Sequence, residues 1–115
     1  YLSLSIFGIS GKSEDHFLGN FFAINEYCDT ISCTIYTDYS TITPFIGKTV
    51  FNSFEGETVS IISFELNNKV SSVGLKYPLD SYRLSPSPRA LRNQSLGNNF
   101  TIESSEKLMV FQIKD

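Results

Sequence analysis

Polar and apolar positions alternate over YLSLSIFGI (residues 1–9): Leu2, Leu4 and Ile6 fall on one face, Ser3 and Ser5 on the other. A period of two marks a half-buried strand. The polar run SGKSEDH (10–16) predicts a loop, and FLGNFFAINEY (17–27) a second strand interrupted at Gly19–Asn20. The alternation is clearest in DTISCTIYTDY (29–39), where Ile31, Cys33 and Ile35 oppose Thr30, Ser32 and Thr34. Its β-branched residues lose side-chain freedom in a helix and pack well on a pleated surface.

In TITPFIGKTVFNSF (41–54), Pro44 cannot donate to a ladder and confines its neighbourhood to an edge or a loop, leaving one short strand around Thr49–Phe51. After a turn at EGE (55–57), TVSIISFEL (58–66) reads as a strand whose apolar parity changes at Ile61–Ile62. Either both faces are covered there or a bulge shifts the register. Asn67–Asn68 separates it from KVSSVGLKY (69–77). Asparagine tolerates positive φ, so two apolar β-runs joined by this pair predict a hairpin, with Val73 inside and Ser72 outside. PLDSYRLSPSPRALRNQSLGNN (78–99) carries three of the four prolines and little periodicity. It predicts a long irregular surface segment, with a helical turn over 88–96 that starts at Pro88 and stops at Gly97. FTIES (100–104) and KLMVFQIKD (107–115) close the chain as a strand pair around Ser105–Glu106.

Seven to eight strands, at most one or two short helices and no βαβ rhythm imply an all-β fold, an antiparallel β-sandwich or barrel. The alternative is α+β, with one helix within 85–96. The 115 residues suit a single β-rich domain, 1–115, and suffice to bury a core. Ten Phe and six Tyr strengthen the case for sheet. Charged residues make up only 18%, so the surface must be largely Ser, Thr and Asn.

Charge is uneven along the chain. Residues 1–66 hold two Lys against eight acids, and residues 67–115 hold seven Lys or Arg against four acids, giving −6 and +3. No dense basic cluster is present, which argues against nucleic acid as a partner. No run of 18 apolar residues exists, so no transmembrane helix is expected. A chain starting at Tyr1 reads as a processed product, an excised domain or an ordered segment, which is compatible with an extracellular or cell-surface setting.

The two cysteines, Cys28 and Cys33, lie in YCDTISC (27–33). A structural zinc site needs four ligands, and this chain offers two Cys and His16. A redox pair wants Cys-x-x-Cys at a helix start, whereas Cys33 sits in a β-pattern. On a straight strand the two thiols would lie about 16 Å apart, too far for a disulfide. Two free thiols are expected, with Cys33 in the core and a disulfide as the alternative. No metal and no cofactor are expected. GISGKS (8–13) lacks the spacing of a phosphate-binding loop. Glu14, Asp15, His16, Glu26, Asp29 and Asp38 form no spacing that dictates a catalytic pair.

Residues 54–77, FEGETVSIISFELNNKVSSVGLKY, resemble a β-hairpin of the jacalin-type lectins, which often carry a GE turn before such a strand. The glycine-rich N-terminal sugar loop of that family and its C-terminal sugar loop are both missing, so membership does not follow. NQS (93–95) and NFT (99–101) fit the N-glycosylation pattern at Asn93 and Asn99. The irregular segment brings together Arg83, Arg89 and Arg92, which suit acidic groups. Around it, Tyr77, Asp80, Tyr82 and Asn93 suit an aromatic platform with polar rims. These residues point to a non-catalytic recognition domain for a protein or glycan partner. Two alternatives stand beside it: a small acidic inhibitor or immunity-type protein, and a small hydrolase using His16 with a nearby carboxylate.

Overall fold

The computed structural model describes residues 3–7, 32–37 and 39–114. Its strands are β1 (Ser3–Phe7), β2 (Ser32–Tyr36), β3 (Ser40–Asn52), β4 (Thr58–Ser63), β5 (Asn68–Val73), β6 (Tyr82–Leu84), β7 (Asn93–Gln94) and β8 (Asn99–Ile113). The spine is an antiparallel ribbon of β3 and β8, running from Ser40 opposite Ile113 to Asn52 opposite Asn99. Its register breaks once. Phe45 faces Leu108 but Gly47 faces Ser104, so Ile46 alone stands against Ser105, Glu106 and Lys107. Extra residues on one strand bend it and increase its twist.

The bend divides the ribbon between two layers. The first half of β8 pairs with β5, which also pairs with β6. The second half pairs with β4, which also pairs with β7. The start of β3 pairs with β2, and β1 joins β2 in parallel. The fold is an all-β sandwich in which every ladder but β1–β2 is antiparallel, and no helix occurs among the described residues.

The core lies between the layers. Phe51, Val70, Phe100 and Ile102 meet Val59, Ile61, Leu108 and Val110, with Leu75, Leu84 and Ala90 closing the sides. Phe51 stacks on Phe100 at 5.0 Å between ring centroids, and Phe45 meets Phe51 edge-on at 5.4 Å. Burial of these side chains is the main stabilising term. Along β4, Thr58 to Ile61 and Ser63 are all buried while its ladder with β8 runs unbroken. The parity change at Ile61–Ile62 therefore reflects two covered faces, not a bulge. Ile35, one of the inward positions expected within 29–39, is fully buried.

Other expectations are corrected. Runs 58–66 and 69–77 do not form a hairpin: β4 and β5 each pair with β8, in different layers. Asn67 does adopt positive φ, at 54°, but its turn sends the chain across the sandwich. Val73 is 73% exposed, and Ser72 instead holds Leu79 through both its backbone and its hydroxyl. The closing strand pair is one 15-residue strand, with Ser105–Glu106 at its bulge. Pro44 lies inside the 13-residue β3, opposite Met109. Pairing of β3 with β2 ends at Ile42. N–H directions alternate along a strand, so the donor missing at Pro44 falls on that same, already unpaired side. The helical turn over 88–96 is a single turn closed by Leu91 N–H to Pro88 O at 3.3 Å, and Asn93–Gln94 extend as β7. Residues 17–27, Cys28 and the Cys33 side chain lie outside the described residues, as do Glu14, Asp15, His16, Glu26, Asp29 and Asp38.

Candidate functional site

The end of the sandwich opposite the bend is where both ends of the β3–β8 ribbon meet. Gln112, near the end of β8, donates to Asn52 O at the end of β3 and to Glu57 Oε1, at 2.8 and 3.1 Å. Three connections close this end: 53–57, 74–77 and 95–98. They are tied to one another by backbone bonds, and Leu75 anchors the second of them in the core. Ser53 N–H donates to Asn98 O, Gly56 N–H to Ser95 O, and Ser95 N–H to Glu57 O, each at 2.9 Å. Leu96 N–H reaches Gly74 O at 2.9 Å and Lys76 N–H reaches Gln94 O at 2.8 Å. Gly74 has φ +95°, and a Cβ there would meet Asn99 O at 3.1 Å and Phe100 Cα at 3.2 Å. Only glycine lets the 74–77 connection lie this close to the start of β8.

This rigid frame presents side chains that are not buried. Phe54, Tyr77 and Leu96 are 59%, 60% and 58% exposed. Lys76 Nζ sits 5.4 Å from the Tyr77 ring centroid, where the ring quadrupole attracts a cation. Glu57 accepts Ser53 Oγ at 2.6 Å, which fixes one carboxylate at the rim, and Glu55 is exposed beside it. The end thus offers exposed aromatic and aliphatic surface, two carboxylates and one ammonium group, all on anchored backbone. Apolar surface with a few convergent polar groups is the general make-up of a small-molecule site.

The structure brings together only part of the residue set that the sequence suggests. Tyr77 and Asn93 are joined: Asn93 is 5% exposed, accepts Tyr77 N–H at 3.0 Å and donates to Tyr77 O at 2.7 Å. Both polar atoms of Asn93 are therefore engaged inside the protein, whereas Asn99 is exposed opposite Asn52. Asp80, Tyr82 and Arg83 are exposed along the approach to and into β6, which pairs with β5. Arg89 is exposed in the 88–91 turn. Arg92 has positive φ, 60°, and its N–H donates to Ser60 on β4 at 3.0 Å. Arg83 and Arg92 are attached to different layers, so the three arginines do not form one fork. Phe54, Leu96 and Glu57 were not singled out from the sequence. Their connections are far apart in the chain, and only the pairing of β8 with β3 and β4 brings them to one end.

A depression of about 250 Å³ lies toward the bend and is lined by Lys69, Ser71, Ser81, Glu103, Ser104 and Ser105. Among the described residues no group of three His, Cys, Asp or Glu is placed to hold a metal ion, and no helix is long and apolar enough to cross a membrane.

Comparison with solved structures gives strong matches to the fold. Thiamine pyrophosphokinase from Bacillus subtilis superposes with a TM-score of 0.86 at 22% identity, over 98% of this chain and 56% of that one. The enzyme from Candida albicans gives 0.84 at 14% identity, over 98% and 44%. That from Geobacillus thermodenitrificans gives 0.82 at 23% identity, over 98% and 54%. The chain therefore spans about half the length of these proteins. No curated protein sequence matches it significantly. Residues 41–111 match the family described as thiamin pyrophosphokinase, substrate-binding domain. This span runs from β3 almost to the end of β8 and includes all three connections of the open end. The match overturns the expected protein- or glycan-recognition role, and with it the inhibitor and His16-hydrolase alternatives: the chain belongs to the family of thiamin pyrophosphokinase substrate-binding domains.

Proposed function

We propose that this domain is the substrate-binding part of a thiamin pyrophosphokinase and that thiamin is held at the open end of the sandwich, against Tyr77. The observation that carries the reading is an exposed aromatic ring on a tied backbone, inside the span matched to the family. Thiamin joins a pyrimidine ring to a cationic thiazolium. A tyrosine face attracts both a flat heterocycle and a positive charge, and the Lys76 ammonium now beside it must swing aside for a cationic ring to take that place. The carboxylates of Glu55 and Glu57 favour the same charge over a longer range.

The contribution of such a domain to pyrophosphoryl transfer is positional. The transfer demands that the hydroxyl of thiamin be held in line with the phosphorus it attacks, and fixing that approach supplies a large part of the rate. A frame of backbone hydrogen bonds, which does not need to reorganise on binding, suits that task. Calorimetric titration of thiamin into the full chain tests the reading. Tyr77→Ala is expected to weaken binding about tenfold, on the order of a buried aromatic contact. Leu66→Ala, exposed in the turn between β4 and β5, is expected to leave binding unchanged. Equal affinity of the Tyr77 variant and the wild type would overturn the assignment of thiamin to this end.

A further inference from the structure

We infer that Asn93 is a positioning residue, which sets the orientation of the Tyr77 ring by clasping the Tyr77 backbone from inside the protein. The inference rests on the reading of Tyr77 as the thiamin platform. Most exposed aromatic residues on a connection have a backbone solvated by water. Tyr77 does not. Its N–H and its carbonyl both bond to the one buried side chain of Asn93, at 3.0 and 2.7 Å. The amide of Asn93 thereby supplies the donor and acceptor that a neighbouring strand would supply. The same Oδ1 accepts Gln94 N–H at 2.9 Å, which sets the amide plane against the backbone of β7. The preceding residue is held too, by Lys76 N–H to Gln94 O at 2.8 Å. β7 is in turn paired to β4, with Val59 opposite Asn93.

The chain of support therefore runs from the core through Val59 and Asn93 to Tyr77. The ring stays in solvent, free to meet a ligand, while its point of attachment is fixed. Pre-organising a contact residue raises affinity by removing the ordering cost from the binding step.

The test is a double-mutant cycle on thiamin affinity, measured by calorimetry in the full chain, with Tyr77→Ala, Asn93→Ala and both together. Asn93→Ala is expected to weaken thiamin binding about threefold to tenfold in the native background and to have no further effect once Tyr77 is Ala. Asn93→Asp retains the shape and both accepted bonds but sets a carboxylate oxygen against the Tyr77 carbonyl in place of the donor, so it breaks that half of the clasp and serves in the same cycle where the Ala variant does not fold. In parallel, hydrogen exchange reads the clasp without any ligand: the Tyr77 amide, which donates to Asn93 Oδ1, should lose protection in Asn93→Ala and keep it in Asn93→Asp, while the Ile102 and Val110 amides keep theirs in both. Equal weakening by the Asn93 change in both backgrounds, or unchanged Tyr77 protection in Asn93→Ala, would show that Asn93 does not act through Tyr77, and the thiamin reading would stand. Absence of thiamin binding by the wild type, or full binding by Tyr77→Ala, would remove the substrate reading and this inference with it.

Discussion

Asn68 and Glu106 exchange a reciprocal pair of hydrogen bonds: Asn68 Nδ2 donates to Glu106 O at 3.1 Å, and Glu106 N–H donates to Asn68 Oδ1 at 3.0 Å. The bulge strips Glu106 of a partner on β3, and a side chain from β5 replaces it. The same amide also reaches Lys107 O at 3.0 Å and Ser63 Oγ at 3.3 Å. Asn68 is fully buried, so its amide depends on these protein partners, and leaving buried polar groups unmet is costly. The bend that turns one ribbon into two layers is pinned by this residue. Asn68→Ala is expected to lower the unfolding free energy by about 3 kcal/mol, the scale of buried groups left without partners. Lys69→Ala, at the exposed neighbour, should cost under about 0.5 kcal/mol. Urea titration of both variants measures the contrast, and equal small losses would show that the bend holds without the amide.

The bend also settled which face of β5 is inside. Val70 is fully buried and Val73 is 73% exposed. Val70→Ala is expected to cost about 2 kcal/mol through lost burial and a residual cavity, and Val73→Ala less than about 0.5 kcal/mol. Ser72→Ala removes the hydroxyl that accepts Leu79 N–H at 2.8 Å and should cost about 1 kcal/mol. Ranked unfolding midpoints of the three variants check this order. A larger loss for Val73 than for Ser72 would contradict the register of β5 on β8.

Two glycines at the open end separate backbone strain from crowding. Gly56 and Gly74 both have positive φ, +87° and +95°, but only Gly74 lacks room for a Cβ. Gly56→Ala should cost about 1 kcal/mol, from the left-handed backbone alone. Gly74→Ala should cost more and should also weaken thiamin binding, because it pushes the 74–77 connection off the start of β8. Melting temperatures and thiamin titrations of the two variants read the two effects. Normal thiamin affinity in a folded Gly74→Ala protein would show that the placement of this connection is not what the ligand senses.

The rim carboxylate Glu57 is anchored by Ser53 and Gln112. Glu57→Gln keeps a hydrogen-bonding group of the same size and removes the charge. Under the proposed function it should weaken binding of the thiamin cation severalfold at low ionic strength and much less in high salt, because exposed charges are screened within about 10 Å at 0.1 M salt. Titrations of wild type and variant at two salt concentrations test this. A loss independent of salt would assign Glu57 to the frame and not to the field at the site.

How much of this was legible in the chain differs from element to element. Ser3 to Phe7, Ile35 and the run Thr58–Ser63 declared themselves as strand, because alternation and β-branching are local properties and a strand needs no distant partner to favour them. The class followed for the same reason. Pairing did not. Asn67–Asn68 has the chemistry of a hairpin turn, yet Asn68 turns inward to serve β8 nearly forty residues later, and no local pattern records that demand. Pro44 and Ser105–Glu106 read as interruptions, but each lies inside a long strand, since a ladder tolerates a missing donor on an unpaired side and a bulge where a buried side chain takes over the lost bonds. Tyr77 could be noticed as an aromatic platform from its type and neighbours. Its grouping with Phe54, Leu96 and Glu57, and its separation from Arg83 and Arg92, depend on which layer each element joins. Local propensity sets the strands, whereas the layers are set by long-range burial and by the hydrogen bonds of one buried asparagine, and the candidate site, where three distant connections meet, takes shape only once those contacts have formed.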